Sequence, residues 1–329
     1  MKKLILSLLF VTYATLSLNA QSKIIVREGA SGTDTYTSLT AALAASQDGD
    51  FLYLPGGVFT GAFTINKNIS VIGTGYSALP NSNRVPTIID NLIIDGVSNL
   101  FVSGILINNN IYFGPGASNN VLLSRCVFDN LSGVAVSNLI VEECIIMDGL
   151  QNMNNFTVRS SVLGIAYDFN SGGLFENCII LDLNGYGLQY SNMTFRNNII
   201  LETQASFTQT GNNNFINNVF KNSAVPTPGS FGGGVFLNNV FNASIDSIFS
   251  NPAANIYITH PANDYTINPN GPASGAGVNG VDCGVFDGLS PMKLGGIPLN
   301  PSIRNILVDP VTDQNGNLQI QATVEAQSR

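Results

Sequence analysis

Three acidic residues, Asp148, Asp182 and Glu202, stand at the same position of a unit that recurs about every 20 residues along the chain. Asp182 and Glu202 belong to consecutive units, and if these units pair as parallel strands their carboxylates lie about 5 Å apart. Two carboxylates at that distance fit the acid and nucleophile of a retaining glycosidase, or two ligands of a calcium ion. Asn130 and Asn222 share the position, which favours a second interpretation as a polar corner where each strand leaves the core.

A second group of residues has the side-chain types that bind sugars. It lies in the connections between neighbouring units and comprises Tyr167, Asp168, Tyr186, Gln189 and Tyr190. Aromatic rings present flat apolar faces with a polar edge, which suits stacking on sugar rings, and Asp168 and Gln189 supply hydrogen bonds. These residues are the predicted carbohydrate-binding set. The alternative is that some of the rings point inward and extend the core.

The sequence offers little for metal or acid–base chemistry elsewhere. The single histidine, His260, precedes Pro261 and is interpreted as a loop residue rather than a general base. No cluster of histidines and cysteines has the spacing of a zinc site. No metal site is therefore predicted, no cofactor is evident, and calcium is the one ion that the acidic position leaves open.

Four cysteines, at positions 126, 144, 178 and 283, raise the question of disulfides. Cys126 and Cys144 occupy the same position one unit apart, a distance of roughly 4.8 Å that a disulfide just reaches. Cys178 lies two units beyond Cys144, and Cys283 is in a separate C-terminal segment. We predict four unpaired thiols that act as small buried residues, with a Cys126–Cys144 bridge as the alternative.

The fold that positions these residues is predicted from seven segments of the sequence that can be superimposed on one another. Their anchors are Cys126, Cys144, Ser161, Cys178, Asn198, Asn218 and Asn239, at spacings of 18, 17, 17, 20, 20 and 21 residues. Three residues before the anchor stand Leu123, Val141, Val158, Phe175, Phe195, Phe215 and Phe236. Directly after the anchor stand Val127, Ile145, Val162, Ile179, Ile199, Val219 and Val240. Units this short, with β-branched residues and Asn-rich corners, predict an all-β parallel solenoid whose two core columns are buried by stacking.

The position two residues before the anchor gives an independent check of this register. It is occupied by Ser124, Glu142, Arg159, Glu176 and Arg196. In-register strands stack these charges with alternating sign, which predicts an exposed ladder of ion pairs worth about 0.2–1 kcal/mol per contact. The alternative is an anionic-substrate site built on the two arginines.

The chain begins with Lys2, Lys3, an apolar run and a small-residue end at Ala20. This pattern is typical of a cleaved secretory signal peptide, so we expect an exported protein, located outside the cell, on the outer surface or in the periplasm. Later apolar runs are too short to span a membrane. The chain carries 13 basic and 21 acidic residues, a net charge of −8. That balance disfavours nucleic acid and anionic membranes as partners and makes polyanionic glycans less suitable.

Four parts are expected along the chain. They are a signal peptide (1–20), an N-terminal strand and capping helix (21–57), the coils (58–297) and a C-terminal hairpin cap (298–329). The helix is predicted over Ser38–Ser46 with Ser38 as its N-cap. The hairpin is predicted from strands Ser302–Leu307 and Leu318–Val324, and an attachment signal is the alternative for this last part.

Two stretches resemble a known family. The first, LPGGVFTGAFTINKNISVIGTG within Tyr36–Gly75, is similar to the opening of the pectin-lyase-like right-handed parallel β-helix superfamily. The second, DYTINPNGPASGAGVNGVDCGVFDG from Asp264, resembles the closing segment of secreted bacterial members. The resemblance implies a single right-handed β-helix domain. It implies no activity, because the superfamily includes lyases, hydrolases, esterases, epimerases and inactive proteins.

Motifs of the enzymes of this superfamily do not occur in the chain. The NTD, DD, GHG and RIK motifs of polygalacturonases, the GxxDFIFG pattern of pectin methylesterases and the aspartate clusters of pectate lyases are missing from the sequence. The leading hypothesis is a non-catalytic protein that binds a polysaccharide or a cell-surface glycan. The alternatives are a polysaccharide lyase or glycoside hydrolase, with Asp148, Asp182 and Glu202 as catalytic candidates, and a structural envelope protein.

Overall fold

A computed structural model describes most of the chain. The described residues are 23–77, 85–133, 136–166, 171–183, 192–203, 212–221, 233–252, 256, 259–298, 302–308 and 320–325. The predicted signal peptide lies outside them. So do all five predicted carbohydrate-binding residues, Tyr167, Asp168, Tyr186, Gln189 and Tyr190.

The N-terminal end of the solenoid is covered by a small helix and an antiparallel hairpin. Helix α1 (Leu39–Ala45) begins after Ser38, whose hydroxyl accepts a hydrogen bond from the Ala41 N–H at 3.4 Å. Strand β1 (Ile25–Gly29) pairs antiparallel with both β2 (Gly32–Tyr36) and β3 (Phe51–Tyr53). The predicted capping helix is thus observed, one residue shorter at each end.

Parallel coils follow from β3 onward, each contributing strands to two sheets. The next strands are β4 (Gly57–Ile65), β5 (Ser70–Ile72), β6 (Thr87–Ile94), β7 (Leu100–Ser103), β8 (Leu106–Ile107), β9 (Ile111–Phe113), β10 (Ser118–Ser124), β11 (Val127–Ser132), β12 (Val136–Glu142) and β13 (Ile145–Gln151). The solenoid continues with β14 (Asn154–Arg159), β15 (Val162–Ala166), β16 (Ser171–Glu176), β17 (Ile179–Leu183), β18 (Met193–Arg196), β19 (Ile199–Thr203), β20 (Asn214–Ile216), β21 (Val219–Lys221), β22 (Phe236–Leu237) and β23 (Val240–Ala243).

Both sheets run along the solenoid axis. The first has the order β2-β1-β3-β5-β7-β10-β12-β14-β16-β18-β20-β22, and the second has β4-β6-β8-β11-β13-β15-β17-β19-β21-β23, with β9 pairing β6 and β11. Strands one coil apart pair in parallel, and Phe175, Phe195 and Phe215 are register partners. The predicted parallel solenoid and its register in the first sheet are confirmed.

The lumen of the solenoid is the main core. It contains the column three residues before the anchor together with a column two residues after it, formed by Phe128, Ile146, Leu163, Ile180, Ile200 and Phe220. Phe195 stacks between Phe175 and Phe215, with ring centroids 5.1 and 4.7 Å away. Adjacent residues of a strand point to opposite faces, so the column two residues after the anchor, and not the one directly after it, faces this core.

The second predicted core column is buried outside the lumen. Val127, Ile145, Val162, Ile179, Ile199 and Val219 belong to a separate apolar cluster with Cys283, Val285 and Met292. We call residues 259–298 the strap, because this segment covers that column. We predicted from the sequence that this column would be buried by the stacking of the coils. That prediction was wrong, because the side chains point outward and the strap packs on them.

The strap runs back along the solenoid, against the direction in which the coils advance. Asn217 donates to the Ala276 carbonyl, Asn197 accepts from the Val278 N–H, and Asn177 donates to the carbonyls of Asp282 and Gly284. These asparagines each precede an anchor and adopt a left-handed backbone, with φ of 55°, 58° and 52° respectively. Asparagine tolerates that conformation, which explains its abundance at the corner where each coil passes from the first sheet to the second. Short helix α2 (Ile245–Ile248) connects the last coil to the strap region.

The C-terminal strands form the expected hairpin. Strand β24 (Ser302–Val308) pairs antiparallel with β25 (Ile320–Glu325). They begin and end within a residue or two of the predicted limits.

The anchor residues form a hydrogen-bonded column inside the corner between the first and second sheets. The side-chain oxygens of Asn198, Asn218 and Asn239 accept from the backbone N–H of the anchor one coil earlier, at 2.8, 3.0 and 2.9 Å. Their amide nitrogens donate to the carbonyls of the first sheet, as Asn218 does to Phe195 at 2.9 Å. Cysteine and serine fill the same position earlier in the solenoid, and Ser161 accepts from the Cys144 N–H at 3.0 Å.

All four cysteines are buried and unpaired, as predicted. Burial raises the pKa of the Cys178 and Cys283 thiols to about 12, so thiolate, the reactive form, is scarce near neutral pH. We expect unreduced, denatured protein to titrate with four thiols and folded protein to react slowly with an aqueous thiol reagent. Two titratable thiols would instead show that Cys126 and Cys144 are bridged.

The predicted ladder of ion pairs is present on the first sheet. Arg159 pairs with Glu142 and Arg196 pairs with Glu176, each at 2.5 Å. The side chains are more buried than expected, since Glu142 and Glu176 are only 10% and 14% exposed. Both arginines form ion pairs with glutamates of adjacent coils, which favours a structural role over an anionic-substrate site.

Candidate functional site

A groove along strands β13, β15, β17 and β19 of the second sheet brings together the three acidic candidates. We call it the acidic groove; it encloses about 290 Å³. Its lining residues are Met147, Asp148, Gly164, Ile165, Leu181, Asp182, Glu202 and Thr259. Three carboxylates and one hydroxyl therefore face a space at the small end of the range of ligand pockets.

Asp182 and Glu202 lie side by side in this groove. They are register partners on the parallel strands β17 and β19, so their backbones are about 4.8 Å apart. Leu181 packs in the cluster under the strap, whereas Leu183 packs in the lumen. The strand therefore changes the face that it presents at Asp182, which leaves the carboxylate at the corner, partly exposed.

Asp148 reaches the groove by a different route from the one its sequence position predicts. The register shifts between Ile146 and Gly149, so Gly149, not Asp148, is the partner of Ile165. The predicted alignment of Asp148 with Asp182 and Glu202 is therefore wrong by one residue at Asp148, because a bulge in β13 inserts an extra residue. The bulge leaves Asp148 exposed, where it accepts a hydrogen bond from the Asn130 amide at 2.9 Å.

Gly164 allows the bulge to lie close to the next coil. A Cβ at this position would stand 2.4 Å from the Met147 carbonyl oxygen and 2.7 Å from that of Asp148. Any larger residue would push the bulge, and with it Asp148, away from the floor of the groove. The glycine was not singled out from the sequence, since the clash depends on a bulge that the repeat does not reveal.

The electrostatic environment of the groove is negative. On a preceding coil, burial and then the charge of Asp148 raise the pKa of Asp129. Among the described residues that line the groove, three are acidic and none is basic. Ionised carboxylates only accept hydrogen bonds, so the groove suits a ligand that donates them.

Thr259 is the contribution of the strap to this site. It is 5% exposed, and its Oγ1 has no hydrogen-bond partner among the described residues. A buried hydroxyl without a partner is costly, so a ligand that hydrogen-bonds here removes that cost. Nothing in the sequence marks Thr259, which lies in a segment without repeats. Its neighbour His260 is in a turn, where Nδ1 accepts from the Ala262 N–H at 3.1 Å.

The structure bears on the predicted absence of a metal site but does not describe the residues predicted to stack on sugars. Among the described residues, no three His, Cys, Asp or Glu side chains are placed to hold a metal ion together. Calcium at the acidic groove stays a prediction. The stacking set of Tyr167, Tyr186 and Tyr190, with Asp168 and Gln189, lies outside the described residues and stays a prediction.

Two other cavities have structural explanations. One of about 360 Å³ lies between the first sheet and the strap, where Asn177 and Asn197 already hold the strap through hydrogen bonds. The other, of about 400 Å³, lies beside helix α1. There Lys67 donates to the carbonyls of Leu43, Ala44 and Ser46, which satisfies the C-terminal end of the helix.

Comparisons with known proteins give no assignment for this site. No protein-family model, no curated protein and no solved structure matches the chain. In the described part of the chain, no helix is both long and apolar enough to cross a membrane.

Proposed function

We propose that this chain is an exported, non-catalytic β-helix protein of the pectin-lyase-like superfamily that binds a polysaccharide or a cell-surface glycan in the acidic groove. The observation that carries the proposal is the meeting of Asp148, Asp182, Glu202 and Thr259 around one groove of about 290 Å³. Carboxylates on successive coils are suited to accept hydrogen bonds from the hydroxyl groups of a sugar chain.

The position of the groove supports this proposal. Its floor consists of parallel strands fixed by their register, and its rim includes a strap residue that is almost fully buried. Sites on rigid elements lose little conformational entropy when they bind. The sequence contains none of the enzyme motifs of this superfamily, and we therefore propose binding as the use of these groups.

A retention screen tests the proposal. The chain without residues 1–20 is passed over immobilised neutral, acidic and amino-containing polysaccharides, and both retention and soluble product are measured. We expect retention without product. Asp182→Asn should weaken retention about tenfold, the loss of one hydrogen bond to a charged group, because an amide keeps the shape but loses the charge.

Asp246→Asn is the matched control for this variant. Asp246 is exposed on helix α2 and does not line the groove, so its loss removes the same charge elsewhere. Retention that is unchanged in Asp182→Asn would contradict the groove as the binding site. Absence of retention on every polysaccharide would contradict the proposed function and leave the structural envelope alternative.

A hydrolase or lyase is the second candidate, and one observation favours it. Asp182 and Glu202 are paired on adjacent strands, a spacing that resembles the close carboxylates of retaining glycosidases. If the chain is such an enzyme, the wild type releases product and Asp182→Asn abolishes turnover while binding survives. If the wild type forms product and Asp182→Asn does not, the chain is an enzyme and the binding proposal is wrong.

A further inference from the structure

We propose that the acidic groove selects glycans that carry free amino groups, in their protonated ammonium form, over neutral and acidic glycans. This inference rests on the proposed function, because it names the class of sugar that the same groove would take. Protonated glucosamine units of a deacetylated polysaccharide are the simplest ligand of this class. The inference depends on the charge of the groove, the buried hydroxyl of Thr259 and the spacing of the carboxylates.

The charge of the lining is one-sided. Asp148, Asp182 and Glu202 line the groove, and the lining residues that the structure describes include no basic side chain. The arginines of the ion-pair ladder are on the first sheet, paired with Glu142 and Glu176. Lys221 follows on the next coil but is not a lining residue. An ammonium group entering the groove therefore meets carboxylates, with no competing cation in the described part of the lining.

Hydrogen-bonding capacity points to the same ligand. Carboxylates are acceptors only, and an ammonium group offers three donors and no acceptor. The hydroxyl groups of a neutral glycan can donate hydrogen bonds to these carboxylates, but they displace water without compensating the negative charge, which costs free energy. A uronate would in addition bring a like charge. An ammonium group compensates both the charge and the hydrogen bonds.

Thr259 is the independent sign that a donor belongs in the groove. Its hydroxyl oxygen is buried and lacks a partner among the described residues, although the residue lines the groove. A hydroxyl oxygen accepts as well as donates, so an ammonium or hydroxyl group of a sugar satisfies it. The strap residue and the carboxylates come from segments far apart in sequence, and both line the same groove.

The spacing of the carboxylates suits a repeating ligand. Asp182 and Glu202 are on adjacent coils, and Asp148 lies two coils before Asp182, which is about 10 Å along the axis. A deacetylated polysaccharide carries one ammonium group on every sugar unit, so its charges also repeat along a line. The groove volume of about 290 Å³ limits full enclosure to a very short stretch of such a chain.

Three oligosaccharides with the same linkage and different substituents test the proposal. Glucosamine oligomers, their N-acetylated forms and glucose oligomers of the cellulose series differ only in carrying an ammonium, an acetamide or a hydroxyl group on each unit. Binding of each to the chain without residues 1–20 is measured by calorimetry at mildly acidic pH, where the amine is protonated. We expect the ammonium form to bind at least about tenfold more tightly than the other two, and added salt to weaken it.

Variants locate the effect in the groove. Asp182→Asn and Asp148→Asn should each reduce the preference for the ammonium form, and Asp246→Asn should leave it unchanged. Equal weakening by Asp246→Asn would mean that overall negative charge attracts the ligand, and would overturn the inference.

The other outcomes separate this inference from the proposed function. If all three oligosaccharides bind equally and the groove variants weaken all of them, the groove binds glycans and the amino selectivity is wrong. If the neutral forms bind in preference to the ammonium form, the selectivity is also wrong while the proposed function stands. If none of the three, and no polysaccharide in the wider screen, is retained, both fail.

Discussion

Phe195→Ala is expected to lower the free energy of unfolding by about 3–5 kcal/mol, as for other buried aromatic residues replaced by alanine. Phe195 is fully buried in the lumen. Its ring lies nearly parallel to those of Phe175 and Phe215, at interplanar angles of 7° and 6°. Alanine would remove both contacts and leave a cavity that the stiff strands on either side cannot close.

The adjacent Arg196→Ala is the control for this measurement. Arg196 is 38% exposed and pairs with Glu176 on the outer face of the same strand, so its loss should cost less than about 1 kcal/mol. Chemical denaturation of both variants gives the two values. Equal losses would contradict the inward and outward assignment of the whole coil, because a shift by one residue exchanges the two faces.

Arg125→Met is expected to cost about 3–5 kcal/mol, because it leaves a buried charge without its partner. Arg125 and Glu143 precede consecutive anchors, and their side chains are only 1% and 6% exposed, with Nε and Oε2 at 2.9 Å. Arg125 also donates to the Ile297 carbonyl of the strap at 2.5 Å. Burial raises the pKa of Glu143, and the charge and hydrogen bond of Arg125 oppose that effect.

The double variant Arg125→Met/Glu143→Gln distinguishes an unpaired charge from lost packing. Replacing both partners removes the buried charges together, and such replacements are often nearly neutral. We therefore expect the double variant to recover much of the stability lost by the single one in urea denaturation. A double variant as unstable as Arg125→Met would show that the bond to the strap, rather than the ion pair, provides the stabilisation.

The register of the first sheet was predictable because one physical requirement repeats in every coil. A residue such as Phe195 must stack on its equivalents in the neighbouring coils, so its column stays apolar and marks the period. The ion pairs of Arg159 and Arg196 follow from the same register. The helix at Leu39–Ala45 was predictable from a local signal, since Ser38 caps it and its apolar residues follow a helical period.

The features that escaped prediction depend on contacts that do not repeat. The strap has no period, so nothing indicated that it would cover the column from Val127 to Val219. The bulge at Asp148 adds a single residue to one coil, which a column of equivalent positions cannot show. Arg125 and Glu143 went unnoticed because their position is asparagine in later coils, where Asn177 and Asn197 hold the strap. Thr259 reaches the acidic groove only through the path of the strap.

The strap changes how the solenoid should lose its structure. In a plain array of repeats each unit depends on its two neighbours, and the ends can fray independently. Here the strap joins coils that are far apart, since Arg125 and Ile297 are 172 positions apart and Asn217 holds Ala276 at the other end. None of these coils can open without first releasing a segment that all of them share. The array should therefore unfold cooperatively, and it should fold slowly, because the strap has no surface to bind until several coils are already stacked.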